Sequence, residues 1–86
     1  MKFLALRTFQ RDYKKLPRHI QKETDNALRL LADNPRHPSL RIKKMQGTKG
    51  IWEGSVTMAY RFTFHLEGNT VVLRRIGTHD ILKKEQ

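Results

Sequence analysis

The clearest pattern in the chain lies late, in Tyr60-Arg61-Phe62-Thr63-Phe64-His65-Leu66, where apolar and polar residues alternate. A period of two predicts a strand with Tyr60, Phe62, Phe64 and Leu66 turned to a core and Arg61, Thr63 and His65 on the opposite face. Glu67-Gly68-Asn69-Thr70 has tight-turn composition, Gly68 and Asn69 both tolerating positive φ, so Val71 to Ile76 is expected to fold back antiparallel as a hairpin.

Upstream the period changes. Lys2 to Leu6 reads as a brief strand, and Thr8 as the N-cap of a helix whose stripe is Phe9, Tyr13 and Leu16, with Arg11, Lys14 and Lys15 facing water. Pro17 marks a sharp corner at the start of a second helix, Arg18 to about Asp33. The inward stripe of this helix is Ile20, Thr24, Ala27, Leu28 and Leu31, extended by Leu30. Asn34-Pro35-Arg36-His37-Pro38 stops it, because a residue before proline is pushed out of the α region. Leu40 to Met45 then alternates as a strand, Leu40 and Ile42 inward and Arg41 and Lys43 outward, with a bulge or strand end at Lys44-Met45. Gln46 to Gly50 is a turn, and Ile51 to Val56 a strand weakened by Gly54. This order predicts an α+β fold: an N-terminal short strand and a helix pair packed on one face of a mainly antiparallel, four- to five-stranded sheet, with the other face bare. At 86 residues, positions 1–86 make one domain.

Charge narrows the function. Eighteen Lys and Arg stand against eight Asp and Glu, a net charge of +10. The resulting self-repulsion is relieved by a polyanion or an acidic partner. The chain has no Cys, which excludes disulfides, thiolate metal sites and a Cys nucleophile. Met1 to Leu6 is too short for a signal h-region, and no run approaches the roughly 20 apolar residues of a membrane span. A soluble, cytoplasmic protein is expected.

If both helices cover one side, Arg41, Lys43, Arg61 and His65 gather on the other, where Arg can hold phosphates bidentately and Lys as a point charge. Arg61 serves folding poorly in the middle of such a strand, where Thr would do better. Trp52 points outward if Ile51 points inward, ready to stack a base; the opposite parity makes it a core residue. Arg74 and Arg75 face opposite ways in a regular strand, so one of them joins the basic floor. His79 follows Gly77-Thr78 at the end of the last strand, and imidazole is the side chain that exchanges protons near neutrality. His19, His37 and His65 have no spacing that makes a metal site with His79, and Asp80 is the one nearby carboxylate, so neither a metal nor another cofactor is expected.

Phe9-Gln10-Arg11-Asp12-Tyr13-Lys14-Lys15-Leu16-Pro17, Asn34-Pro35, Leu40-Arg41-Ile42-Lys43-Lys44-Met45-Gln46-Gly47, Tyr60-Arg61-Phe62 and Ile76-Gly77-Thr78-His79-Asp80 occur in this order. Over nearly the whole chain the sequence resembles the RelE/ParE superfamily, the toxins of bacterial and archaeal toxin–antitoxin pairs. The resemblance implies a ribosome-dependent, metal-independent endoribonuclease of the RelE and YafQ type, acting on messenger RNA, or alternatively a ParE-type inhibitor of DNA gyrase or a catalytically weak RNA-binding homologue. It implies that Arg61 binds the scissile phosphate, that Arg75 is a second active-site Arg and that His79 is a general acid or base. Lys43 and Lys44 lie where the nucleases are basic, and Arg41, His65, Arg74 and Lys83 complete the expected RNA-binding set with Trp52. Where many members carry Tyr or Phe past the last strand, this chain has Ile81-Leu82-Lys83-Lys84, leaving Trp52 to supply base stacking. The implied partners are an acidic antitoxin, the ribosome and messenger RNA.

Overall fold

The computed structural model describes residues 2–85; Met1 and Gln86 lie outside the described residues. Five strands, β1 (Lys2–Ala5), β2 (Lys43–Lys44), β3 (Trp52–Ser55), β4 (Tyr60–Glu67) and β5 (Thr70–Thr78), form one sheet in the order β1-β5-β4-β3-β2. β1 runs parallel to β5, and the other pairings are antiparallel. The sheet is therefore mixed rather than wholly antiparallel. Helices α1 (Arg7–Lys14) and α2 (Arg18–Asp33) sit between β1 and β2 in the chain, and a 3₁₀ helix, His79–Glu85, closes it.

The expected hairpin forms at Gly68-Asn69, with Glu67 opposite Thr70. Of these two residues only Gly68 takes positive φ, at 57°, as a turn with glycine at its first central position requires. Phe62 and Phe64, ring centroids 5.8 Å apart, join Phe9, Ala27, Leu31, Leu40, Val71, Leu73 and Ile76 in the main core. Tyr60 is only half-buried and Leu66 is exposed. Of the expected stripe α2 buries Ile20, Thr24, Ala27 and Leu31, with Leu28 and Leu30 half-buried against the core. The Tyr13 hydroxyl donates to Asp25 Oδ1 at 2.8 Å, linking the two helices. That bond to a carboxylate, then burial and the Asp25 charge, raise the phenol above its ordinary value. The link therefore holds at neutral pH and is lost only as pH climbs through the raised value.

Several expectations are corrected. Leu6, not Thr8, caps α1; the Thr8 hydroxyl instead donates to the Arg74 carbonyl at 2.8 Å, tying α1 to β5. Leu40 is buried but ends a 3₁₀ turn, Pro38–Leu40, whose first amide is capped by His37. Arg41 then takes φ 47°, a left-handed geometry incompatible with a strand, so β2 begins only at Lys43.

The parity of β3 makes Trp52 a core-side residue: it packs against the main core, whereas Ile51 joins Met45, Ile81 and Leu82 in a second cluster. Gly54 explains the choice, since a Cβ there would lie 2.5 Å from the Phe62 ring. Glycine is what lets Phe62 cross β3.

The far face of the sheet is not bare. The C-terminal 3₁₀ helix packs against β4 and β5, with Ile81 over Gly77, whose Cβ would come within 2.8 Å of it. Thr63, expected to be open, is fully buried. The bulge falls in the β4–β5 pairing rather than at Lys44: Thr63 opposes Arg75 and Phe64 opposes Leu73. The extra residue lets Leu73 and Ile76, three apart, both enter the core.

Replacing Gly54 by Ala forces a methyl group against the Phe62 ring and is expected to cost about 1–3 kcal/mol. Thermal denaturation should show a fall of about 4–8 °C for each kcal/mol; an unchanged midpoint would mean that the ring is free to move aside.

Candidate functional site

The basic residues predicted from the sequence separate into distinct neighbourhoods. Lys43 and Lys44 from β2, His79 and Lys83 from the C-terminal helix, and Glu53 from β3 line one cleft of about 370 Å³. Leu82 lies beneath them as part of the second apolar cluster. Its burial fixes the helix so that His79 and Lys83, both exposed, remain at the cleft. The lysines are freely hydrated; Lys43 comes no nearer than 3.9 Å to Glu53, with its side chain 71% exposed.

Arg61 does not line this cleft but shares the face of the sheet on which Glu53 lies. It pairs with Ser55 on β3 and with Gly77 on β5, two residues before His79. Its guanidinium donates to Ser55 Oγ and, at 3.3 Å, to the Thr57 carbonyl. Those neutral acceptors orient the group without neutralising it. Arg61 is thus a half-buried cation free of an ion pair among the described residues.

The other arginines differ. Arg75 donates through Nε and Nη2 to Asp12 at 2.7 and 3.0 Å, and Asp12 Oδ2 also accepts from the Ile76 amide at 3.2 Å. This forked pair fastens α1 to the edge of β5 beyond the end of β1. Arg74 is paired with Glu85 and, with His65, borders a separate depression. Arg41 lies in another, beside Arg36 and His37. Trp52 opens onto an apolar groove with Leu31, Ile42, Phe64 and Leu66, on the helix-covered face and away from the cleft. The outward placement that would let Trp52 stack a base beside the cations is therefore corrected.

Four participants escaped the sequence reading: Asp12, Glu53, Ser55 and Glu85. A signal for the acids existed. With 18 cations and 8 acids, a carboxylate inside a strand such as Glu53, a residue type depleted there, is expected to answer a cation. Among the described residues no three His, Asp or Glu side chains are grouped so as to hold a metal ion.

No family model and no curated protein matches the chain significantly. Solved structures do. YafQ from E. coli superposes with a TM-score of 0.79 at 19% identity, over 94% of this chain and 96% of that one. The RelB–RelE antitoxin–toxin complex from Methanococcus jannaschii contains a chain matching with a TM-score of 0.75 at 23% identity, over 94% and 95%. A YoeB/ParE toxin from Agrobacterium tumefaciens gives 0.78 at 16%, over 92% and 99%.

Asp12 anchors three donors, so Asp12→Ala is expected to lower stability by about 1–2 kcal/mol, allowing for partial solvent screening. Urea denaturation should show an earlier midpoint, and an unaltered midpoint would mean the forked pair holds nothing in place. With TM-scores of 0.75 to 0.79 and near-complete mutual coverage, the chain has the fold seen in these toxin structures.

Proposed function

We propose that this chain is the toxin of a type II toxin–antitoxin pair, acting in the cytoplasm as a ribosome-dependent endoribonuclease that cuts messenger RNA. The observation that carries the reading is the cleft that joins His79 to Lys43, Lys44 and Lys83, with an unneutralised Arg61 on the same face of the sheet. In this reading the 2′-hydroxyl of a ribose loses its proton and its oxygen attacks the adjacent phosphorus. The bond from phosphorus to the 5′-oxygen breaks, leaving a 2′,3′-cyclic phosphate and a 5′-hydroxyl. His79 takes the proton from the 2′-hydroxyl and returns it to the departing 5′-oxygen, and Arg61 stabilises charge on the phosphoryl oxygens. Lys43, Lys44 and Lys83 hold flanking phosphates as point charges. Arg75 joins this set only by releasing Asp12. No metal or cofactor enters the scheme.

The cleft is open and holds few catalytic groups, so the ribosome is the proposed source of substrate positioning. The solved relatives support the partner assignment: RelE is seen with RelB, and YafQ with DinJ. An acidic antitoxin is the proposed partner here, suited to a chain of net charge +10. No helix of the described residues is long and apolar enough to cross a membrane.

The test uses ribosomes programmed with a defined messenger. His79→Ala and Arg61→Ala are each expected to slow cleavage by about 10²–10⁴-fold with circular dichroism and melting unchanged. Full cleavage by either variant overturns its role. Intact messenger with the wild-type chain, accompanied by inhibited gyrase, would replace the nuclease reading with a ParE-type one.

A further inference from the structure

A depression of about 550 Å³ lies apart from the His79 cleft. Across the second apolar cluster from that cleft, it is rimmed by the Gly47–Gly50 loop, His65 and Arg74. Gly47 and Gly50 take φ of 78° and 77°, and a Cβ on either would meet nothing within 4 Å, so the loop borders open space. Lys49, exposed on the same loop, supplies a free cation at the rim.

Inside, Arg74 presents a forked donor set. Nε and Nη2 donate to the Glu85 carboxylate at 2.9 and 3.3 Å. Nη1 lies 2.9 Å from His65 Nδ1. A guanidinium only donates, so Nδ1 is the acceptor and the His65 proton sits on Nε2, which faces Glu67 Oε1 at 3.2 Å. His65 thus orients Arg74 while leaving its fork to Glu85.

Glu85 is an unusual tenant. Its side chain is only 6% exposed, yet it stands at the end of a seven-residue 3₁₀ helix, a form whose strained hydrogen bonds seldom sustain more than three or four residues. The carboxylate is held by the guanidinium rather than by a stable helix. A carboxylate and a phosphate present the same pair of oxygens to an arginine fork.

From this geometry we propose that Arg74, oriented by His65 and flanked by Lys49, is a binding site for a backbone phosphate of RNA, and that Glu85 occupies it as an internal stand-in until a strand arrives. The exchange is a swap of anions: the phosphate takes the fork, the Glu85 carboxylate returns to water, and Lys49 adds an attraction that Glu85 does not use. Because the depression and the His79 cleft lie on either side of the Met45, Ile51, Ile81 and Leu82 cluster, a strand seated in the cleft extends its flanking phosphates toward Arg74. The assignment of the anion to RNA rests on the nuclease reading.

Binding is tested apart from cleavage with a single-stranded DNA oligonucleotide, which lacks the 2′-hydroxyl. Glu85→Gln is expected to bind it about fivefold more tightly at low salt, because the phosphate no longer has to displace a carboxylate from the Arg74 fork. A chain ending at Lys84 should behave alike, which guards against an idiosyncrasy of the glutamine. Adding Arg74→Ala should erase the gain in both, while adding His79→Ala should leave it. Unchanged binding, a gain that survives Arg74→Ala, or a gain larger for an acidic peptide than for the oligonucleotide overturns the proposal. Tightening by Glu85→Gln in a chain that never cuts messenger would sink the nuclease reading but keep the anion site. Cleavage by the wild type without such tightening would do the reverse.

Discussion

The closest constraint in the molecule is the passage of the Phe62 ring over Gly54. It sets the parity of two strands together. With Phe62 fully buried and the backbone of β3 directly beneath its ring, Trp52 must share the apolar face, and Glu53 and Ser55 must take the other. Arg61, adjacent to Phe62, falls on that other face opposite Ser55. A one-residue slip would exchange every one of these side chains between core and cleft. The position of the candidate site is thus a consequence of core packing, and no interaction within the cleft is needed to create it.

A second close approach completes the arrangement. Gly77 admits Ile81 against the sheet, which brings the C-terminal helix across a face that would otherwise stay open. The helix then divides the basic surface into two depressions. Acids divide the arginines by pairing: Asp12 takes Arg75 and Glu85 takes Arg74, whereas Arg61 is met only by a hydroxyl and a carbonyl. In a chain with so few acids, an arginine left without a carboxylate is one whose charge remains available to a ligand.

Much of this was legible in the sequence. The β4–β5 hairpin followed from strict alternation and a glycine turn, and α2 from a complete apolar stripe bounded by Pro17 and Asn34-Pro35. The failures share a cause: each was decided by contacts distant in the chain. Trp52 reads equally well in either parity until Phe62 is placed over Gly54. Leu40 alternates like a strand residue, but Pro38 and the His37 cap divert it into a turn. The bulge at Arg74 leaves no local mark, because its purpose is to let Leu73 and Ile76 share one core. Of the predicted site, Lys43, Lys44, Lys83 and His79 do meet. Arg75, Arg41 and Trp52 lie elsewhere, as periodicity alone cannot tell which cations acids will claim or where an edge strand begins.

In the proposed function the His79 imidazole and the Arg61 guanidinium break a phosphodiester bond of messenger RNA. The most direct measurement is to incubate the wild-type chain with ribosomes carrying a defined messenger and to analyse the ends of any fragments. The account predicts cuts within the decoding site that leave 2′,3′-cyclic phosphates and 5′-hydroxyls. Messenger that remains intact, or fragments ending in 5′-phosphates, would contradict it.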